Sequence, residues 1–413
     1  MFRQIKFKTN AGLLIDNENR YVTDHERRLD MLVAINGEDK QIHARNIVKK
    51  HVEEYRCPAC QNRVIYRSGP RTIPHFAHQI KGNCQAATES ETVEHLSGKN
   101  KLYGWLKDCY KDVELERYLA TIKQRPDIYL NADNEIYAIE YQCSPLHEGL
   151  FLKRTTGYLD VGVVPVWIFH SHFIKRKGAN LWRINSTLKA ALRKSTSTFL
   201  LFYNPKQPNI LTAIINMIPA TTVLYYGQMI SIMLSKQAGL KNILSPPEKD
   251  ISYLSEWFIK RKVQLNNEIQ YKGLRSILIK EWYEAGISPY KVPDFVGVPL
   301  LNGCMYSVPA IVWQGLVYID LLKCLKIHGM ISKVWIRTRF LERIKNKDII
   351  LNQSPLMKQD IFTALVEYLN FLEKIDYLEK VSVNHYIIRD DFIFDDTLEE
   401  VIKLRLYNFL KGI

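Results

Sequence analysis

Between Val113 and Phe169 the sequence runs strand, strand, strand, helix, strand, and this order restricts the fold more than any other feature. The strand-like runs are Val113–Leu119, Asp127–Leu130 and Ile136–Gln142; a helical run, Leu146–Asp160, leads to the apolar strand Val163–Phe169. Asn131 to Glu135 are turn residues, so the second and third strands read as a hairpin. A strand–helix–strand connection within one sheet is right-handed. With a further helix over 89–110 in front, the pattern predicts a small α/β sheet with helices on its faces.

Residues two apart on a strand share a face. Glu140 and Gln142 therefore point one way, while Ile139 and Tyr141 meet the other layer. Asp127, opening the partner strand, can meet Glu140 across the hairpin. Two carboxylates with the carbonyl of Tyr141 make an oxygen-rich site of the kind Mg²⁺ and Mn²⁺ prefer, and such an ion activates water against a phosphodiester. On the preceding helix Glu91, His95 and Lys99 form one polar stripe with Glu94 beside it, and Val93, Leu96, Tyr103, Leu106 and Tyr110 form an apolar one. Glu116 is a further carboxylate that can face the same cleft. Each of these taken singly reads as a solvated surface charge; their order is what points to a nuclease.

Upstream, Cys57-Pro58-Ala59-Cys60 is a thiolate knuckle, and His75 and His78 follow. Two sulfurs and two imidazoles complete a tetrahedral zinc site, with Cys84 able to replace one histidine. Four protein ligands leave no open position, so such a zinc is structural and fastens a segment too small for its own core. The odd count of seven cysteines does not suit a disulfide framework.

The formal net charge of +14 favours an anionic partner, nucleic acid or a membrane surface. No apolar leader opens the sequence, and the most hydrophobic stretch, Ile210–Leu234, reads as buried strands plus a helix, interrupted by Asn216, Pro219 and Gln228. A cytoplasmic protein without a membrane span is expected. Lys175–Lys177 with Gly178 reads as a linker. Beyond it come strand-like pieces and then, from about Ser252, mostly helix, ending in Met357–Leu372 and a hairpin that together suggest the tail of a winged helix. The expected divisions are 1–86 (β-rich), 87–175 (α/β) and 176–413 (mainly helical).

The ordered motifs CPAC, PHFAH, ESETVEHLSGK, ELE, RPD, AIEYQCS, LKRTTGY and PVWIFH resemble those of the competence protein CoiA family, most densely from Cys57 to His170. The resemblance implies a restriction-endonuclease-like, PD-(D/E)XK central domain behind a zinc-finger-like N-terminal one, in a protein of natural transformation. Asp127 and Glu140 then match the acidic pair, Glu94 the helix carboxylate, and Gln142 the position where many such nucleases carry lysine. His95, Lys99, Glu116 and Arg154 match other motif positions, and Lys99 or Arg154 can supply the missing cation. The implied function is metal-dependent DNA cleavage during transformation and recombination, with a catalytic Mg²⁺ or Mn²⁺ and a structural zinc. The implied partners are DNA, single-stranded or in recombination intermediates, and recombination or DNA-uptake proteins. The alternative is a non-catalytic DNA-binding adaptor built on the same scaffold, for which Gln142 leaves room.

Overall fold

The computed structural model describes residues 14–15, 21–22, 30–47, 54–70, 72–78, 84, 92–246, 254–357, 360–389 and 398–411. Short, turn-broken apolar runs build the N-terminal sheet. Its strands are β1 (Asp30–Met31), β2 (Val33–Ile35), β3 (Gln41–His43), β4 (Tyr55–Arg56), β5 (Arg63–Gly69) and β6 (Thr72–His78). They pair antiparallel in the order β1-β6-β5-β4-β2-β3.

The helix α1 (Val93–Cys109) starts on Thr92, whose hydroxyl accepts the amide of His95 at 3.2 Å. It precedes β7 (Val113–Leu115), the hairpin β8 (Ile128–Ala132) and β9 (Glu135–Gln142), then α2 (Glu148–Asp160) and β10 (Val163–His170). β9 and β10 are parallel, as the crossover requires, with Ile136 opposite Val163 and Gln142 opposite Phe169. Alternation along the strands sorts side chains to two faces. Ile139, Tyr141, Val166 and Ile168 pack with Leu96, Leu102, Trp105 and Leu106 of α1. Trp167 and Phe169 pack with Phe151 of α2 on the other face. The two helices thus cover opposite faces of one sheet.

The sheet does not end at residue 175. The stretch read as a linker turns back on itself, Lys177 N–H donating to Leu181 O at 2.7 Å, and enters β11 (Leu181–Arg183). β11, β12 (Thr198–Tyr203), β13 (Ile210–Pro219) and β14 (Leu224–Met233) complete a nine-stranded mixed sheet in the order β11-β14-β13-β12-β10-β9-β8-β7, with Arg193–Lys194 beside β12. Ile210–Leu234 is therefore a long antiparallel hairpin without a helix. Its β-branched residues pack on both faces, and a bulge between Ile215 and Ile218 holds Asn216 at φ +52°. No helix among the described residues is long and apolar enough to cross a membrane.

The remainder is mainly helical: α3 (Leu254–Asn267), α4 (Ile277–Glu284), α5 (Ala310–His328), β15 (Ile331–Ser332), α6 (Lys333–Lys345), α7 (Thr363–Lys374), β16 (Leu378–Lys380), β17 (His385–Ile388) and α8 (Leu398–Lys411). β15, β17 and β16 form a three-stranded antiparallel sheet against these helices. Trp257, Trp282 and Trp313 are buried in this core, as a packing role requires.

Candidate active site

Strand register brings the acidic pair together. Ile128 lies opposite Ile139, so Asp127, one residue earlier, stands beside Glu140. Asp127 Oδ2 accepts the amide of Tyr141 at 2.8 Å and lies 3.1 Å from His95 Nε2. Its Oδ1 is 3.5 Å from Lys99 Nζ. Both His95 and Lys99 reach it from α1 because Gly98 lets the helix lie on the Tyr141 ring; a Cβ there would come within 2.0 Å of that ring. Glu140 is served from the opposite face. Arg154 and Tyr158, one turn apart on α2, each donate to its Oε1 at 2.5 Å.

The two acids are tuned apart. Burial opposes ionisation of Asp127, but the charges of His95 and Lys99 and the Tyr141 amide outweigh it and hold the carboxyl well below the usual range. For Glu140 burial dominates and lifts it to about 7, with Arg154 pulling down and the Asp127 charge pushing up. The two acids are thus pushed in opposite directions, Asp127 down by its cations and Glu140 up by burial. Two carboxylates with water are a donor set that suits Mg²⁺ or Mn²⁺, which keep several waters when protein-bound. Among the described contacts Glu140 Oε2 stands outside the Arg154 and Tyr158 bonds, while Asp127 Oδ1 faces the Lys99 ammonium at 3.5 Å.

The other candidates separate. Lys99 is fully buried between Glu116 Oε1, at 2.6 Å, and Asp127. Glu116 does not open onto the cleft: its carboxylate accepts the amides of Leu32, at 3.0 and 3.1 Å, and Val33, at 3.3 Å, with Arg125 3.9 Å away. It positions Lys99 and ties the N-terminal sheet to α1. Gln142 is buried and donates to Ser144 O at 2.8 Å, which holds the turn after β9. Glu94 is exposed in the first turn of α1, and Glu91 lies outside the described residues. The sequence reading missed Tyr158; its signal was the spacing of four from Arg154 within LKRTTGY, which puts both on one helix face.

The second cluster corrects the expected ligand set. Cys57, Cys60, His78 and Cys84 bring their ligand atoms within 4.8 Å of one another. Cys57 Sγ is 3.9 Å from Cys84 Sγ, and Cys60 Sγ is 3.3 Å from His78 Nε2. The edge of a tetrahedron with Zn–S bonds of about 2.3 Å is about 3.8 Å, so these four can hold a zinc ion. The knuckle closes through Gln61, at φ +59°, whose amide donates to Cys57 O at 2.9 Å. A hydrogen bond from Cys84 holds the Cys57 thiol down to about 3, as a thiolate ligand needs. His75 is not in the set. Both histidines lie on β6, where residues three apart face opposite sides, and His75 Nδ1 instead meets Ile73 O at 2.7 Å.

Residues 91–248 match the family model described as "Competence protein CoiA, nuclease-like domain". Residues 39–87 match the corresponding N-terminal domain and residues 254–402 the C-terminal domain. The chain is also similar to "Competence protein CoiA" of Bacillus subtilis (strain 168), 28% identical over 338 residues that cover 80% of this chain and 89% of that protein. No solved structure matches the chain.

Proposed function

The chain belongs to the competence protein CoiA family, with a nuclease-like domain at its centre, and we propose that this domain is a divalent-metal-dependent deoxyribonuclease acting on DNA in natural transformation and recombination. The observation that carries the reading is the pairing of Asp127 and Glu140 on adjacent strands with cations on both sides, Lys99 from α1 and Arg154 from α2. Asp127 and Glu140 would hold Mg²⁺ or Mn²⁺, which supplies an activated water and charge neutralisation at the phosphodiester. Lys99, buried between Glu116 and Asp127, keeps Asp127 ionised for the metal, and the position two residues after the glutamate, where many PD-(D/E)XK nucleases carry lysine, is here the neutral Gln142, engaged with Ser144. His95 holds Asp127 in orientation, and Tyr158 with Arg154 fixes Glu140. We read the nuclease-like domain as a PD-(D/E)XK fold on its helix, strand, hairpin, crossover order.

The order α5, β15, α6, α7, β16, β17 supports a winged-helix reading of the C-terminal unit. The exposed residues of α7 are Val366, Asn370 and Lys374, a face with one cation, which favours a protein contact over DNA there.

The test is incubation of the purified chain with linear, nicked and single-stranded DNA, with Mn²⁺, Mg²⁺ or neither. Wild type should cut only with metal. Asp127→Asn and Glu140→Gln, which preserve shape and most hydrogen bonds, should each lower the rate by about a hundredfold or more. Equal cutting by wild type and both variants sinks the assignment. Absence of cutting with every DNA form and both metals transfers the reading to the adaptor, which the neutral Gln142 favours.

A further inference from the structure

The strand β10 ends at the candidate site in a run of rings. His95 stacks on Tyr141 with centroids 5.9 Å apart, and Tyr141 lies 6.4 Å from His170. His170 and His172 follow at 4.6 Å, and His172 and Phe173 at 4.3 Å. The row therefore starts at the histidine that contacts Asp127 and runs outward: Tyr141 is buried, His170 and Phe173 are half-buried, and His172 is exposed. A one-turn helix over Ser171–Phe173 fixes the rings, with His170 Nδ1 accepting the amide of His172 at 3.1 Å. Two exposed lysines flank the row from different elements. Besides burial, the charge of Lys206, from the turn after β12, depresses His170, and that of Lys175 depresses His172. Glu94, exposed at the start of α1, faces both imidazoles with the opposite sign.

We propose that His170, His172 and Phe173, flanked by Lys175 and Lys206, form a docking tract for an unpaired DNA strand whose bases stack on the rings and whose phosphates meet the lysines. Every base offers a π-face, but only an unpaired strand can turn it toward a protein ring; a duplex keeps its faces stacked inside. Rings next to separated cations are the combination that single-strand binders use without reading sequence. Because the row leads inward to His95 and Asp127, the tract delivers a backbone to the acid pair, and in that respect it rests on the nuclease reading.

Binding is measured without metal, by fluorescence anisotropy, with a labelled oligothymidylate and a duplex of equal length. His172→Ala should weaken the oligothymidylate about tenfold and leave the duplex nearly unchanged, since one lost base stack is worth about 1–3 kcal/mol. His172→Tyr, which restores a ring, should recover the loss. The double variant Lys175→Ala/Lys206→Ala should flatten the log–log salt dependence of oligothymidylate binding by about 1 to 1.5, two phosphate contacts' worth for a single strand. Wild-type oligothymidylate affinity in His172→Ala overturns the tract, and so does an equal loss for duplex and single strand. These outcomes are read without cleavage. A wild type that never cuts but loses oligothymidylate through His172→Ala keeps the tract and removes the nuclease; a chain that cuts yet ignores His172→Ala does the reverse.

Discussion

A single side chain, Cys84, decides which four residues of the Cys/His cluster could hold a metal ion. A strand with period two cannot aim both His75 and His78 at one point, so a zinc ion held here would take its fourth ligand from Cys84, beyond β6. Cys84→Ser should therefore purify with well under one equivalent of zinc, whereas His75→Ala should retain a full equivalent, both read by elemental analysis of protein prepared without added metal. A His75→Ala protein lacking zinc beside a Cys84→Ser protein that keeps it reverses the assignment. The ligand types and the knuckle were legible in the sequence, and Cys84 was visible there as a substitute. The choice between Cys84 and His75 was not, because it depends on the region being a strand. Asp127 and Glu140 were legible for the converse reason: their strands and turn are clear, and the hairpin register follows from them. Glu116 was misleading. Its position among strand residues suggested an open carboxylate, but at φ +53° it leaves the strand and turns inward to the amides of Leu32 and Val33, partners 84 and 83 residues away that no local pattern announces.

At the scale of elements, the α/β core was readable because amphipathic periods and turn residues agree; strand-like runs beyond residue 175 were also visible, but not that they extend the same sheet or that Ile210–Leu234 holds no helix. β12 and most of β13 are buried on both faces, so they present continuous apolar runs in which strand and helix look alike, whereas the second half of β14 alternates buried and exposed residues. In the C-terminal unit one arginine joins three helices. Arg343 of α6 is buried and donates to Asp320 of α5 at 2.6 and 2.8 Å and to Glu281 of α4 at 2.8 and 2.9 Å. Arg343→Met leaves two carboxylates without their fork and should cost about 3–5 kcal/mol in urea unfolding. The same network sets an acid limit. Burial alone would raise Glu281, but hydrogen bonds from Arg343 and Lys323 bring it down to about 2. A carboxyl depressed in the folded state stabilises above its unfolded value and loses that contribution as pH falls through the folded one. Stability should thus decline as pH drops from the ordinary glutamate range toward 2, and Glu281→Gln, already less stable at neutral pH, should show a shallower decline. Parallel pH curves for variant and wild type would remove Glu281 from this role.

At the scale of the whole molecule, the N-terminal sheet is not a separate finger, because its contacts are part of the nuclease-like body. Leu32 and Val33 belong to the same buried cluster as Leu96, Leu102, Ile128 and Ile139, and their amides supply Glu116, which holds Lys99 against Asp127. Zinc, by fastening Cys57, Cys60, His78 and Cys84, would stabilise the sheet that carries those amides. Removing it should therefore reach the acid pair. If the sheet loosens, Glu116 loses charge-assisted hydrogen bonds worth about 1.5–3 kcal/mol each, and Lys99 is left on a carboxylate that must find other partners or water. A strong chelator under reducing conditions should lower the melting temperature by several degrees, at about 2–4 °C per kcal/mol for a unit of this size. Hydrogen exchange locates the effect. Protection should fall at Leu32 and Val33 and also along α1 around Leu96 to Lys99, while the helices joined by Arg343 keep theirs. A loss confined to residues 54–84, with α1 unchanged, would mean that the zinc region folds and unfolds on its own and that Lys99 is held without it.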